Sequence, residues 1–182
     1  MGVVLDVTDV AAIVPIVARI EKEVGPIDVL INNAGYGHEG VVEETTPEEL
    51  RRQFEVNVFG PVAITQAVLP YMRKRRAGHI VNVTSGRLYH HACPRHIYHG
   101  SKFALEGISE ALGKEVSDLG IKVTAVEPGG FRTDWAGRSM VRVEGLLRSY
   151  ATIQSAAPPA DSRLRTKSIR ALSLRGTRRR SA

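Results

Sequence analysis

The sequence predicts an α/β protein built around a parallel β-sheet. Three observations carry that reading. Residues 27–31 form a short, almost continuous apolar run, as strands buried on both faces do, and further short strand-like runs follow at 80–83 and 121–126. Stretches of helical periodicity separate them, the strand–helix–strand order of right-handed crossovers. The runs lead into loops at Asn32, Ser85 and Pro128, so three loops converge at the carboxyl ends of the strands, where ligands of such sheets sit.

The elements follow in order. Val3, Val4 and Leu5 form an apolar stub, read as a strand ending at Asp6. Thr8 is the expected cap of an amphipathic helix with Ile13, Val17 and Ile20 on one face. Pro15 removes an interior hydrogen bond and is expected to kink or shorten it, and Gly25-Pro26 stops it. After strand 27–31, residues 32–45 read as loop. Thr46, Pro47 and Glu49 then spell a capping box with proline in the first turn. Helical pattern runs to Arg76, with an interruption near Asn57 and Gly60-Pro61. Strand 80–83, a loop at 86–95, a helix at about 96–119 and strand 121–126 complete the body. After Tyr150 no sustained period and no apolar strand remain. The chain divides into an α/β body, 1–150, and a basic tail, 151–182, of disordered composition.

A chain of 182 residues with 43% hydrophobic content supports one domain with a sizeable core. The net charge of +6 invites a nucleic-acid reading, but residues 151–182 hold eight Lys/Arg and one acid, leaving the body near neutral. A charge run alone is a weak signal, and nucleic acid is not expected as a partner. The single Cys93 forms no internal disulfide. The first residues lack a signal-peptide pattern and no apolar run spans a bilayer, so a soluble, cytoplasmic protein without membrane partners is expected.

Tyr98 and Lys102 lie four apart on a predicted helix and share a face. An ammonium beside a phenol favours the phenolate, making Tyr98 a usable general acid or base. From that spacing alone an exposed Tyr–Lys pair on an ordinary helix is the commoner outcome. Ser85, thirteen residues before Tyr98, changes the balance. Ser85, Tyr98-x-x-x-Lys102, the string from Ile80 to Ser85 and that from Tyr98 to Gly107 resemble the short-chain dehydrogenase/reductase family. So do Leu5-Asp6-Val7-Thr8-Asp9, Asn32-Asn33-Ala34-Gly35, Asn57-Val58-Phe59-Gly60, and Pro128-Gly129 followed by Thr133.

The resemblance implies an α/β, Rossmann-like parallel sheet with helices on both faces, here N-terminally truncated. It implies an NAD(P)-dependent oxidoreductase interconverting an alcohol and a carbonyl, homo-oligomeric in intact relatives. Tyr98 would exchange a proton with the substrate oxygen and Ser85 would hydrogen-bond it. Lys102 would hold the nicotinamide ribose, and Asn57 would anchor a water leading to solvent. Asp6 and Val7 would line the adenine, and Asn32, Asn33, Ala34 and Gly35 would back the cofactor. Pro128 and Gly129 would belong to the same cofactor wall, with Thr133 meeting the carboxamide. The family's opening strand, glycine-rich turn, second strand and their helices would need on the order of 50 residues, and only Met1 and Gly2 precede the stub. The alternative reading is therefore a catalytically silent fragment. In the family's strand order, 3-2-1-4-5-6-7, strand 27–31 would have an open edge, and strand 121–126 would too if the tail supplies no strand.

Three other patterns lead elsewhere and are set aside. The string from Gly35 to Gly40 is a literal G-x-G-x-x-G, but the next helix cap, Thr46, is too distant for a phosphate loop. His90, His91, His96 and His99 lack recognised ligand spacing, so no metal is expected. Ser85 lacks the G-x-S-x-G elbow of a hydrolase.

Overall fold

The computed structural model describes residues 2–85, 95–129, 135–143 and 170–173. Thr133, nearly all of the expected loop 86–95 and most of the tail lie outside these residues. The elements in order are α1 (Val10–Glu23), β1 (Val29–Asn32), β2 (Gly37–Glu39), α2 (Pro47–Phe54), a π turn (Glu55–Phe59) and α3 (Gly60–Arg75). Then come β3 (Gly78–Val83), α4 (His96–Val116), β4 (Ile121–Glu127), α5 (Trp135–Arg138), β5 (Met140–Arg142) and β6 (Arg170–Ser173).

The main sheet has the order β1-β3-β4-β6. β1 to β3 and β3 to β4 are parallel, with Asn32 beside Asn82 and Asn82 beside Ala125. This is the parallel α/β arrangement that the strand–helix alternation predicts and the Rossmann-like sheet that the resemblance implies. α1, α3 and α4 pack on one sheet face, where Ile13, Val17, Val68, Met72 and Val116 meet Ile80, Ile121 and Val123 in a single buried cluster. The alternate residues point away, and Val29 and Ile31 are 52% and 61% exposed. Helices of the second face have no counterpart among the described residues. β1 has no outer neighbour among them either, so its edge is open as expected.

Several local expectations are corrected. Residues 3–5 form no strand, because no partner strand lies beside them among the described residues. The cap of α1 is Asp9, whose carboxylate accepts from Ala12 N at 3.2 Å; Thr8 instead donates to Asp6. α1 runs its full 14 residues through Pro15. Ile13 and Val17 are almost fully buried against α3 and the sheet, and that packing outweighs the missing bond. Residues 32–45 are not all loop, since β2 pairs in parallel with β5. The tail contributes a strand, β6, antiparallel to β4, so the 121–127 strand is covered on that side.

The capping box of α2 is present as predicted, with Thr46 accepting from Glu49 N and Glu49 accepting from Thr46 N. The helical interruption falls on the π turn Glu55–Phe59, while Gly60 and Pro61 open α3 without a break. At the other end of the core, Gly120 has φ +75°, and a Cβ there would strike the carbonyl oxygen of Arg76. That glycine lets the chain turn tightly from α4 into β4. Among the described residues no helix is long and apolar enough to cross a membrane.

Candidate active site

α4 carries one buried stripe, Tyr98, Ser101, Lys102, Leu105 and Ser109, whose i, i+3, i+4 spacing turns a single helical face inward. Tyr98 is 8% exposed and Lys102 6%. The exposed-pair alternative for these two residues is thereby excluded. Lys102 Nζ donates to the carbonyl oxygen of Val83 at 2.7 Å, two residues before Ser85 at the end of β3. Ser85 is also buried. Burial lowers the Lys102 pKa from 10.5 to about 8, because the charged form loses its hydration. Most of the ammonium still remains charged at pH 7. Among the described residues Lys102 makes no ion pair with a carboxylate.

Asn57 sits at the centre of the π turn and is fully buried. Its Oδ1 accepts from Tyr36 N at 3.2 Å, and its Nδ2 donates to Tyr36 O and to Ser101 Oγ, both at 3.0 Å. The π turn thus aims an amide at the loop after β1, a placement a regular helix would rotate away. Gly35 lies in that loop, and a Cβ there would stand 3.0 Å from Asn57 Oδ1 and 3.6 Å from Lys102 Nζ. The close approach of this loop to Asn57 therefore favours glycine, and a Cβ would also occupy room beside the ammonium.

Asn32 ends β1 and is buried. Its side chain is turned into the core, where Nδ2 donates to Asn82 Oδ1 at 2.8 Å and Thr65 Oγ1 at 3.2 Å. Asn82 in turn donates to Ser109 Oγ at 2.8 Å. The amide binds sheet to helices and leaves only the backbone to face a ligand. Asn33 and Ala34 are exposed, and with Val7 they line a cavity of about 220 Å³ along the open β1 edge. Asp6 is exposed, and the Thr8 backbone N–H, followed by the Thr8 hydroxyl, lowers its pKa. Pro128 and Gly129 are half-buried at the end of β4.

Sequence reasoning missed a second polar layer. Gln53 is fully buried and donates to Tyr36 O at 2.8 Å. His38 on β2 is buried with Nε2 3.4 Å from Glu49 Oε1. Beside it Glu39 pairs with Arg95 at 3.2 Å and Arg142 at 3.8 Å. His96 Nδ1 lies 3.1 Å from Gly40 O and donates to it; burial lowers the His96 pKa. These contacts join β2 and β5 to the start of α4, three residues before Tyr98. Their partners are distant in sequence, so only the helical spacing of Gln53 and Asn57 offered a signal.

The model of the short chain dehydrogenase family matches residues 1–141. An oxidoreductase of Botryotinia fuckeliana is 44% identical over 140 residues, which cover 76% of this chain and 50% of that protein. A 3-ketodihydrosphingosine reductase of Bacteroides thetaiotaomicron is 44% identical, covering 81% of this chain and 55% of its own length. A crystal structure of a short-chain dehydrogenase from Streptomyces avermitilis is 42% identical, with a TM-score of 0.76 over 82% of this chain and 56% of that one. A gluconate 5-dehydrogenase from Burkholderia cenocepacia, solved with NADP and tartrate, is 26% identical with a TM-score of 0.70, covering 73% and 52%. The chain belongs to the short-chain dehydrogenase/reductase family, and it spans about half the length of the curated relatives it matches.

Proposed function

We propose that the chain carries the proton-transfer and nicotinamide half of an NAD(P)-dependent oxidoreductase that interconverts an alcohol and a carbonyl. The carrying observation is Lys102, a buried ammonium one helical turn from Tyr98 and anchored two residues before Ser85. Burying a cation without a carboxylate costs stability. Such a position is characteristic of function, where a perturbed pKa serves a reaction.

A nicotinamide dinucleotide fits these residues, because Gly35 leaves room beside Lys102 Nζ that a Cβ would fill. Lys102 would hold its ribose, with Asn33, Ala34 and Gly35 behind it and Asp6 and Val7 toward the adenine. Asn32, Pro128 and Gly129 would contribute backbone, and Thr133 would meet the carboxamide. When bound, the cofactor supplies or accepts the hydride. Tyr98 Oη donates a proton to the substrate oxygen in reduction and takes one in oxidation. Ser85 hydrogen-bonds the same oxygen and orients the carbonyl. The Lys102 charge favours the Tyr98 phenolate, and Asn57 holds the water through which protons leave.

The second reading is that these 182 residues alone are catalytically silent. The open β1 edge and the half-length match to relatives favour it. Both readings meet in one assay: deuteride transfer from C4-labelled NADH or NADPH to a panel of ketones and aldehydes. The chain is tested alone and joined to the preceding segment of the Bacteroides relative. Transfer in both supports an autonomous enzyme, and transfer only in the joined chain supports the silent fragment. Transfer in neither overturns the oxidoreductase proposal.

A further inference from the structure

We propose that Ser101 is a positioning residue that holds the Asn57 side chain, and through it the Tyr36 peptide, in place beside Lys102. The inference rests on the oxidoreductase reading for its purpose, but not for its geometry. Ser101 and Asn57 are both 0% exposed. The Ser101 hydroxyl donates to Tyr98 O at 2.8 Å, which leaves its lone pairs for Asn57 Nδ2 at 3.0 Å. One hydroxyl therefore couples the helix bearing Tyr98 and Lys102 to the π turn.

Both Nδ2 hydrogens of Asn57 are then committed, while Oδ1 keeps one lone pair. One Nδ2 hydrogen goes to Ser101 and the other to Tyr36 O, while Oδ1 accepts from Tyr36 N–H. Gly35, the residue before Tyr36, borders both Asn57 Oδ1 and Lys102 Nζ. Ser101 thus acts at a distance on the loop that keeps the ammonium dry. Its side chain touches the backbone oxygen of Tyr98 and the Asn57 amide, and this linkage makes it a support for reacting groups. Alanine fits the same volume and the same helix without strain, so the hydroxyl alone is under test.

The experiment is hydrogen exchange on the full 182-residue chain, read by mass spectrometry with residue-level fragmentation, for wild type, Ser101→Ala, Ser101→Thr and Ser101→Cys. Losing one hydrogen bond to Asn57 speeds exchange of the Tyr36 amide about tenfold in Ser101→Ala. Amides of Ile80 and Val123, deep in the sheet, stay at wild-type rates. Ser101→Thr keeps the hydroxyl and the wild-type Tyr36 rate, and Ser101→Cys falls between the two. In parallel, the pH midpoint for labelling Lys102 with an amine reagent rises in Ser101→Ala, as water reaches the ammonium, and not in Ser101→Thr. An unchanged Tyr36 rate in Ser101→Ala overturns the proposal, as does equal acceleration across the sheet. If Ser101→Ala does not fold, a Tyr36 rate in Ser101→Cys equal to wild type overturns it. None of these readouts depends on turnover, so failure of the oxidoreductase proposal is registered separately by the deuteride assay.

Discussion

Replacing Lys102 by Met should make the chain more stable at neutral pH. Moving the ammonium pKa from 10.5 to about 8 corresponds to about 3 kcal/mol against the charged form. Methionine escapes that penalty and fills a similar volume. It also removes the bond to the Val83 carbonyl, which costs about 1–1.5 kcal/mol. The net expectation is a gain of about 1.5–2 kcal/mol at pH 7. The pH dependence sharpens the test. Because the folded pKa lies below the unfolded one, the unfolded chain binds the extra proton between pH 8 and 10.5. Wild-type stability therefore rises with pH across that window, and the penalty is present in full below it. Urea unfolding of wild type and Lys102→Met from pH 6.5 to 10 isolates this effect, since other titrating groups cancel in the difference. The advantage of Lys102→Met should shrink as pH rises. Parallel stability curves for the two proteins would refute the desolvated-lysine argument.

Other consequences are separately measurable. Tyr98→Phe should lower turnover of the joined, full-length form at least about 100-fold while leaving cofactor affinity unchanged; equal turnover would remove Tyr98 from proton transfer. Asn82→Ala strands donor and acceptor groups of Asn32 and Ser109 in the core and should cost about 2–4 kcal/mol in denaturant titration. Glu49→Ala removes the reciprocal half of the Thr46 capping box and should cost about 0.5–1 kcal/mol in the same assay. The folded Glu49 pKa is lowered, first by the Thr46 N–H. Its contribution is thus present above the unfolded carboxylate pKa and lost as pH falls through the folded one, so the wild-type advantage over Glu49→Ala should disappear in acid.

The parallel sheet was legible because short apolar runs alternate with helical periodicity, and Thr46 to Glu49 announced α2 through backbone chemistry confined to four residues. Ser85, Tyr98 and Lys102 stood out through the family resemblance, and their burial accords with a site. What escaped depends on partners remote in sequence. β2 is three residues whose strand partner among the described residues is β5, about a hundred positions on. Pro15 argued locally against a helix that Ile13 and Val17 enforce by packing. The partners of the Asn32 amide, Asn82, Thr65 and Pro61 in the core, lie 29 to 50 positions away and leave no local trace. β6 lies in a tail whose local composition favours disorder, and its pairing with β4 has no local signature.

The site around Tyr98 and Lys102 is proposed to face the nicotinamide end of a dinucleotide. In related folds a helix N-terminus and loop N–H groups bind the phosphates, and two or three charged hydrogen bonds there are worth roughly 4 kcal/mol, about a thousandfold in affinity. Saturation-transfer NMR of the 182-residue chain with NADPH and NADH addresses this directly. The account predicts weak binding, in roughly the millimolar range. Saturation should be strongest on the nicotinamide and its ribose, and should be lost in Lys102→Met but kept in Tyr98→Phe. Saturation centred on the adenine, or a pattern unchanged in Lys102→Met, would contradict it.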